Sequence, residues 1–223
     1  MLYEPACRPK ISDICQKLHK LSKNYSYIET HDDYDHDETL SVDTIENQNT
    51  MPSSFVTITI LSIDDAIHIH KSKNGNKQLA WQSFKYHSST NIEAKYWLGY
   101  YYYHHGEDIP ELQRINKKER FRIAVDIFKE TADKGNPSAQ LRYGLCLWKG
   151  EGIEENPLEA SKYLKSSANS GNSTAMYIIG KAYWNGGNGI EQNKNQGAKY
   201  LKGAALNDHP KAIEMCRENN IVF

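Results

Sequence analysis

Small and aromatic residues recur through the second half of the chain at the spacing of α-helices. Tyr143 and Leu147 stand four positions apart, and so do Ile179 and Tyr183, which places each pair on one helix face. Alanines and glycines lie close to these pairs, where they allow two helices to approach each other. The pattern predicts short amphipathic helices that pack closely in pairs.

Start and stop signals mark the ends of these helices. Asn136–Pro137 and Asn156–Pro157 each combine a capping side chain with a proline at the first helical position, where proline has no hydrogen bond to lose. Gly135 and Gly171 predict helix ends, because the residue just past the last turn often adopts the left-handed conformation. These signals predict helical hairpins joined by tight, glycine-rich turns.

The sequence repeats itself at an offset of 36 residues. The stretch that begins at Gly135 overlies the one that begins at Gly171, and one inserted residue before Gly189 moves the next register to 37. A further unit begins upstream at Ala94, at an offset of 45, because the charged insertion at 111–118 lengthens it. Such a period is typical of stacked repeats. The pairs superposed at the first offset include Gly135/Gly171, Asn136/Asn172, Ala139/Ala175, Gly144/Gly180, Trp148/Trp184 and Gly150/Gly186.

A degenerate unit precedes the three clear ones. Residues 62–65 form a capping-box pattern that predicts a helix through His70, and Gly75 predicts its end. Apolar residues at 79–88 predict the second helix of this unit, and the alternating residues 55–61 predict an extended segment.

The pattern A-x-x-x-L-G-x-x-Y-x-x-G, followed by a helix that closes on A-x-x-x-x-x-x-x-A-x-x-G, resembles the Sel1-like repeat, a relative of the tetratricopeptide repeat. The match runs from Asn91 to about Cys216, with Ile179 and Leu147 among its departures from the consensus. The resemblance implies an all-α fold, a right-handed α-solenoid of helical hairpins. We expect this solenoid to occupy residues 62–221.

Residues 1–25 do not follow the repeat. The segment Glu4-Pro5-Ala6-Cys7-Arg8-Pro9 resembles the segment that precedes the last helix of a protein kinase domain, where the arginine that matches Arg8 pairs with the glutamate of an A-P-E motif. The chain has no A-P-E, V-A-I-K, H-R-D or D-F-G motif, so the residues for phosphoryl transfer are missing. The resemblance implies a remnant of kinase-like C-lobe helices, and the alternative is an ordinary capping helix.

Charge is unevenly distributed, although the formal net charge is only -1. No lysine or arginine lies between Lys23 and Lys71, whereas ten acidic residues do. A segment with few apolar residues and one sign of charge stays solvated. We therefore expect residues 26–61 to be an acidic, mostly disordered linker that leads into a mildly basic solenoid.

The ends and the cysteines limit the class of protein. The sequence has no apolar stretch suited to a secretory signal or a membrane-spanning helix. Its cysteines, which lie far apart without a C-x-x-C pair, favour reduced thiols over disulfides or a zinc site; they are Cys7, Cys15, Cys146 and Cys216. We predict a cytoplasmic protein without membrane insertion.

Candidate chemistry is weak. His31 and His36 lie among carboxylates, as a transition metal requires, but the solvated segment around them offers no fixed ligand geometry. The glycine-rich turns lack the third glycine and the preceding strand of a phosphate loop. Basic residues are too dispersed for a nucleic-acid site. We predict no catalytic residue, metal, cofactor, nucleic-acid partner or small-molecule substrate.

Aromatic residues are the strongest functional feature. Tyr103, Trp148 and Trp184, which we call the aromatic ladder, occupy the same position in three successive units. Equivalent positions of a solenoid line up along one face, and aromatic anchors dominate interface energies. Together with Tyr96 and Tyr100, the ladder predicts a partner-binding groove on the concave face. The alternative is that these rings pack between neighbouring hairpins.

These observations predict a non-enzymatic scaffold or adaptor that binds proteins or peptides through the concave face of its repeats, in signalling. The alternative function is the C-terminal regulatory or docking part of a kinase–Sel1 fusion whose catalytic domain is missing from this sequence.

Overall fold

The computed structural model describes residues 59–187 and 189–223. Ten α-helices account for most of these residues and follow one another along the chain. They are α1 Ile63–Lys71, α2 Lys77–His87, α3 Ile92–His104, α4 Pro110–Gln113, α5 Lys117–Asp133, α6 Pro137–Lys149, α7 Pro157–Asn169, α8 Ser173–Asn185, α9 Lys194–Leu206 and α10 Pro210–Glu218.

The helices form antiparallel hairpins that stack in chain order. We call α1, α3, α6, α8 and α10 the A helices, and α2, α5, α7 and α9 the B helices. Each B helix packs against the A helix of its own hairpin and against the A helix that follows. The predicted all-α solenoid of helical hairpins is thereby confirmed.

Asparagine side chains begin most of the helices, as the sequence predicted for α6 and α7. Oδ1 of Asn136 accepts a hydrogen bond from the backbone N–H of Ala139 at 2.8 Å, and Asn156 caps α7 in the same way. Gly135 and Gly171 follow helix ends with φ of +90° and +91°, which confirms that both positions need the left-handed conformation.

Two glycines of the A helices allow the paired helices to approach closely. A Cβ atom on Gly144 would lie 2.7 Å from Cγ of Leu164, and one on Gly180 would lie 3.0 Å from Cγ of Leu201. Both leucines are fully buried. The small residues of the repeat are therefore required by helix contact.

Buried apolar side chains form clusters between successive hairpins. Phe128 and Tyr143 lie in the cluster that joins α3, α5, α6 and α7, and Leu164 and Ile179 lie in the next. The predicted buried stripe is confirmed for Tyr143, Leu147 and Ile179. Tyr183 is only half-buried, and its ring stacks on that of Tyr200, which is half-buried as well. Each hairpin therefore depends on its neighbours for burial.

The charged insertion has a structure that the sequence analysis did not predict. Residues 110–113 form the short helix α4, and Ile109 and Leu112 beside it are buried against α1, α2 and α3. The guanidinium of Arg120 fills the space beside Gly106, where a Cβ would lie 1.0 Å from Nη1, and donates a hydrogen bond to Glu107 at 2.6 Å. The insertion thus contributes its own buried residues to the first hairpins.

The degenerate first hairpin is also present. Oγ of Ser62 accepts a hydrogen bond from the backbone N–H of Asp65, which confirms the predicted start of α1. The kinase-like segment 1–25, the acidic residues 26–58 and the histidines at 31 and 36 lie outside the described residues. Among the residues that are described, no helix is long and apolar enough to cross a membrane.

Candidate functional site

The A helices line one side of the stack, because each B helix packs between two of them. We call this side the inner face. Two registers of the repeat run along it from helix to helix: Trp97, Arg142 and Ile178 in one, and Tyr100, Leu145 and Lys181 in the other. Five of these six side chains are half-buried, and that of Lys181 is exposed. We call these six residues the inner strip.

Tyr96 and Tyr100 lie one turn apart on α3 in different surroundings. The side chain of Tyr96 is only 6% exposed and packs in the core, with its ring centroid 6.0 Å from that of Phe128. Tyr100 is half-buried, and the guanidinium carbon of Arg142 lies 5.2 Å from its ring centroid. Tyr100 is therefore the more accessible of the two, and Tyr96 supports it from the core.

Tyr103, the first member of the aromatic ladder, is half-buried between hairpins. Its ring stacks on Phe121 with centroids 4.6 Å apart and an interplanar angle of 10°. Its hydroxyl donates a hydrogen bond to the Glu151 carboxylate. Burial, followed by this bond, raises the pKa of the Tyr103 hydroxyl. One face of the Tyr103 ring is therefore covered by Phe121, and the side chain as a whole remains partly exposed to solvent.

Trp148 and Trp184 are also half-buried, but their surroundings differ. Trp148 packs against the clusters on both sides of α6, and its indole N–H is buried without an acceptor among the described residues. Trp184 lines a surface groove of about 440 Å³ between α8 and α10, together with Tyr177 and Met215. Trp184 thus faces open space, whereas Trp148 lies mainly between hairpins.

Histidine and aromatic rings pack together where α1 meets α3. The ring of His70 lies 4.6 Å from Trp97 and 5.3 Å from His105, measured between centroids, and its Nδ1 lies 3.2 Å from the Tyr101 hydroxyl. Burial, with Lys77 nearby, lowers the pKa of His70 to about 4. This imidazole is therefore neutral at pH 7 and shares a hydrogen bond with the Tyr101 hydroxyl.

The two described cysteines are unsuited to nucleophilic chemistry at neutral pH. Burial raises the pKa of the Cys146 thiol to about 12 and also raises the pKa of the Cys216 thiol, so neither forms the thiolate that a nucleophile requires at neutral pH. In the described ranges, no group of three or more histidine, cysteine or acidic side chains is arranged to hold a metal ion. The aromatic and basic inner face remains the candidate site.

The family model of the Sel1 repeat matches residues 92–136, 137–172 and 173–209. These three matches cover the hairpins from α3 to α9. The chain belongs to the Sel1 repeat family. Proteins built from Sel1 repeats are generally protein-interaction scaffolds, and their solenoid fold is typically non-catalytic.

Solved structures with Sel1 repeats share this fold. A protective antigen of uropathogenic Escherichia coli with an SLR fold is 25% identical, with a TM-score of 0.56 over 69% of this chain and 31% of the antigen. A Sel1 repeat protein from Oxalobacter formigenes is 20% identical, with a TM-score of 0.52 over 61% of this chain and 96% of that protein. The chain spans about a third of the antigen. No curated protein matches it.

Sequence reasoning missed most of the inner strip of this Sel1 protein. It selected Tyr100, but it left out the other five members, which are Trp97, Arg142, Leu145, Ile178 and Lys181. The same offsets of 45 and 36 residues that aligned the aromatic ladder would have found the equivalent positions on α6 and α8.

Proposed function

We propose that this Sel1 repeat protein is a non-enzymatic adaptor that binds other proteins or peptides on its inner face. The observation that carries the proposal is the row of half-buried aromatic side chains on successive A helices, namely Tyr100, Tyr103, Trp148 and Trp184. Aromatic rings that are partly open to solvent release water on binding and supply most of the energy of protein interfaces.

The stacked hairpins make the inner face a preformed surface. Buried clusters extend across each hairpin boundary, so the A helices are held in fixed order before any partner arrives. A partner then loses less free energy to ordering of the receptor than it would with a flexible site. The groove beside Trp184 offers one defined place for a side chain of the partner.

Participation in signalling is a narrower proposal. It is supported by the kinase-like segment Glu4-Pro5-Ala6-Cys7-Arg8-Pro9, which lies outside the described residues. Coding sequence upstream of Met1 tests the related alternative, a docking part of a kinase–Sel1 fusion. In-frame H-R-D and D-F-G motifs would support the fusion, and a translation start mapped to Met1 by N-terminal sequencing would contradict it.

Affinity capture with matched variants tests the adaptor function. We expect the double variant Trp148→Ala/Trp184→Ala and the single variant Tyr100→Ala to lose partners that the wild type captures, because each removes an aromatic surface of the inner face. Tyr86→Ala is the control, since this side chain on α2 is 67% exposed and belongs to neither the ladder nor the inner strip. Circular dichroism checks that every variant remains folded.

The comparison between variants decides the outcome. Partners retained by folded Trp148→Ala/Trp184→Ala and Tyr100→Ala would contradict binding by the inner face. If Tyr86→Ala loses the same partners, capture depends on general surface hydrophobicity, which also contradicts the proposal.

A further inference from the structure

Three basic side chains on the A helices have no acidic partner among the described residues. No carboxylate lies within 4.0 Å of Arg142, Lys181 or Lys211 in the ranges 59–187 and 189–223. Arg142 is the most constrained of them, because its guanidinium lies over the ring of Tyr100 and its Nε is buried without an acceptor. The three residues come from α6, α8 and α10. Lys181 and Lys211 line the groove beside Trp184, which Glu214 and Glu218 also line, so Arg142 is the cation without acidic residues lining its surroundings in this way.

The B helix α5 shows the opposite arrangement. Arg122 pairs with Glu119 at 2.7 Å, and Lys129 pairs with Asp133 at 2.8 Å. These pairs lie three or four residues apart, where opposite charges on a helix neutralise each other. The basic residues Arg122 and Lys129 of α5 are therefore paired within their own helix, unlike Arg142, Lys181 and Lys211.

The acidic groups beside the central part of the inner strip already have hydrogen-bond donors. The Glu93 carboxylate accepts from Nε1 of Trp97 and from Nδ2 of Asn136, both at 2.9 Å. The Glu151 carboxylate accepts from the Tyr103 hydroxyl and lies 3.8 Å from Lys149. Those bonds hold both carboxylates away from Arg142, so its guanidinium has no acidic partner among the described residues and remains available to a ligand.

Apolar residues occupy the positions of the two registers that neighbour the central cation. Trp97 and Tyr100 on α3, Leu145 on α6 and Ile178 on α8 are half-buried members of the same inner strip. A guanidinium that lies over an aromatic ring and has a buried nitrogen is partly desolvated, which strengthens its bond to a carboxylate. The strip therefore combines a fixed cation with surfaces for apolar anchors.

We propose that the partner segment bound by the inner face is an acidic linear peptide, with a carboxylate on Arg142 and an apolar or aromatic side chain against Trp97 and Tyr100. The inference rests on the proposed adaptor function and specifies its partner class. Lys181 and Lys211 extend the recognition to further carboxylates along the peptide. Arginine is suited to the central position because it forms two parallel hydrogen bonds to one carboxylate.

Fluorescence anisotropy with a synthetic probe tests this inference on the full chain. The probe is a fluorescein-labelled peptide of about twelve residues that carries several glutamates and one phenylalanine, and its control has glutamine at every glutamate position. We expect the acidic peptide to bind at least about tenfold more tightly than the control at low salt, and to weaken as ionic strength rises.

Charge-removing variants locate the site. We expect Arg142→Gln to weaken the acidic peptide by about tenfold and Lys181→Gln by about threefold, since the first cation is partly desolvated and the second is exposed. Arg122→Gln on α5 is the matched control and should change the affinity by less than about twofold. Lys181→Gln keeps the test valid if Arg142→Gln fails to fold.

Distinct results separate this inference from the adaptor function. If neither peptide binds while Tyr100→Ala still abolishes partner capture, the acidic partner class is wrong and the adaptor function stands. If neither peptide binds and Tyr100→Ala also captures the same partners as the wild type, the acidic partner class and the adaptor function are both wrong. Equal binding of the acidic and control peptides, or equal losses in Arg122→Gln and Arg142→Gln, would overturn the inference as well.

Two other ligands could occupy the inner face, namely the acidic segment of the chain itself and a second copy of the chain, and each is tested separately. A variant in which the acidic residues at positions 29–46 are neutralised tests whether this segment of the chain competes with the peptide. If the acidic peptide binds only to this variant, the inference is overturned in favour of an internal ligand. Sedimentation analysis tests a second copy of the chain. A dimer that dissociates in Arg142→Gln, with no peptide binding to the wild type, would likewise overturn it.

Discussion

Two glycines of α9 have unlike surroundings, although both lie inside the same helix. A Cβ atom on Gly197 would lie 2.8 Å from the backbone nitrogen of Trp184 and 3.0 Å from the carbonyl oxygen of Gly180. A Cβ atom on Gly203 would meet the sulfur of Met176 at 3.2 Å, and a methionine side chain can move aside. The first glycine is required by backbone contact, and the second is not.

This difference predicts opposite effects of one substitution at two positions. We expect Gly197→Ala to lower the free energy of unfolding by about 1–3 kcal/mol, because α8 must move away. Gly203→Ala should leave stability unchanged or raise it by up to about 1 kcal/mol, because alanine favours the helix. Urea denaturation measures both. Equal destabilisation by the two variants would contradict the close contact between α8 and α9.

His70 links local packing to pH. Its folded pKa of about 4 lies below its usual value of 6.5, because burial disfavours the imidazolium, and Lys77 and Lys71 add to this effect. His104 at the end of α3 and its C-cap residue His105 also lower the pKa of His70 when their rings are charged. Between these two pKa values the unfolded chain binds a proton that the folded chain does not. Stability should therefore fall as the pH falls from about 6.5 to 4.

Thermal unfolding at several pH values tests this linkage. We expect the wild type to lose more of its melting temperature between pH 7 and pH 5 than His70→Gln does, because the variant has no proton to gain at this position. Glutamine can still accept a hydrogen bond from Tyr101. Parallel pH profiles for the two proteins would show that His70 does not contribute.

At the scale of helices, asparagine caps differ in how much they connect. Asn193 is exposed and only caps α9, whereas Asn136 is buried, caps α6 and also donates to Glu93 of α3 at 2.9 Å. One side chain therefore begins a helix and joins it to the A helix of the preceding hairpin.

Alanine substitutions should reflect this difference. We expect Asn193→Ala to cost about 1 kcal/mol of stability, the usual cost of losing a cap. Asn136→Ala should cost about 2 kcal/mol, because it also removes a buried hydrogen bond. Chemical denaturation gives both values. If Asn136→Ala costs no more stability than Asn193→Ala, the hydrogen bond between Asn136 and Glu93 contributes nothing.

Most helices could be predicted from the sequence because their start and stop signals are local. Asn–Pro pairs, the capping box at 62–65 and the glycines at 135 and 171 each act within a few residues, and the structure confirms them. Helix α4 was missed because Ile109 and Leu112 show no helical period among the charges around them. Their burial comes from residues that are distant in sequence.

The candidate site could be predicted from the sequence only in part. The positions of Tyr100 and Tyr103 follow from the repeat offset, but the accessibility of each ring depends on the next hairpin. Tyr96 lies in the core because α5 and α6 cover it, and Trp148 is enclosed from both sides. Periodicity identifies equivalent positions, but it does not predict which neighbouring side chain will cover each one.

At the scale of the whole molecule, stability comes from contacts between adjacent hairpins. Leu201 of α9 is fully buried in a cluster with α10, and a separate cluster around Trp81 joins α1, α2 and α3. In such an arrangement, damage to one hairpin weakens its neighbours first and reaches distant ones only in part.

Hydrogen exchange should reveal this local coupling. We expect Leu201→Ala, which removes about 2–5 kcal/mol of core packing, to reduce protection in α8, α9 and α10 and to leave α2 and α3 largely protected. Mass spectrometry of peptic fragments measures each helix separately. Uniform loss of protection in all helices would indicate a single cooperative unit instead.

The connection between α3 and α5 has a consequence for protein engineering. It contains α4 and makes this unit longer than those that follow, yet the A helices on either side keep the same repeat positions. Length variation at this point therefore leaves the repeat positions of the A helices unchanged. The equivalent short turn between α8 and α9 should accept a grafted loop or an inserted reporter domain, provided that Ile190 retains its buried place. Sel1 hairpins would then serve as a modular carrier for new sequences.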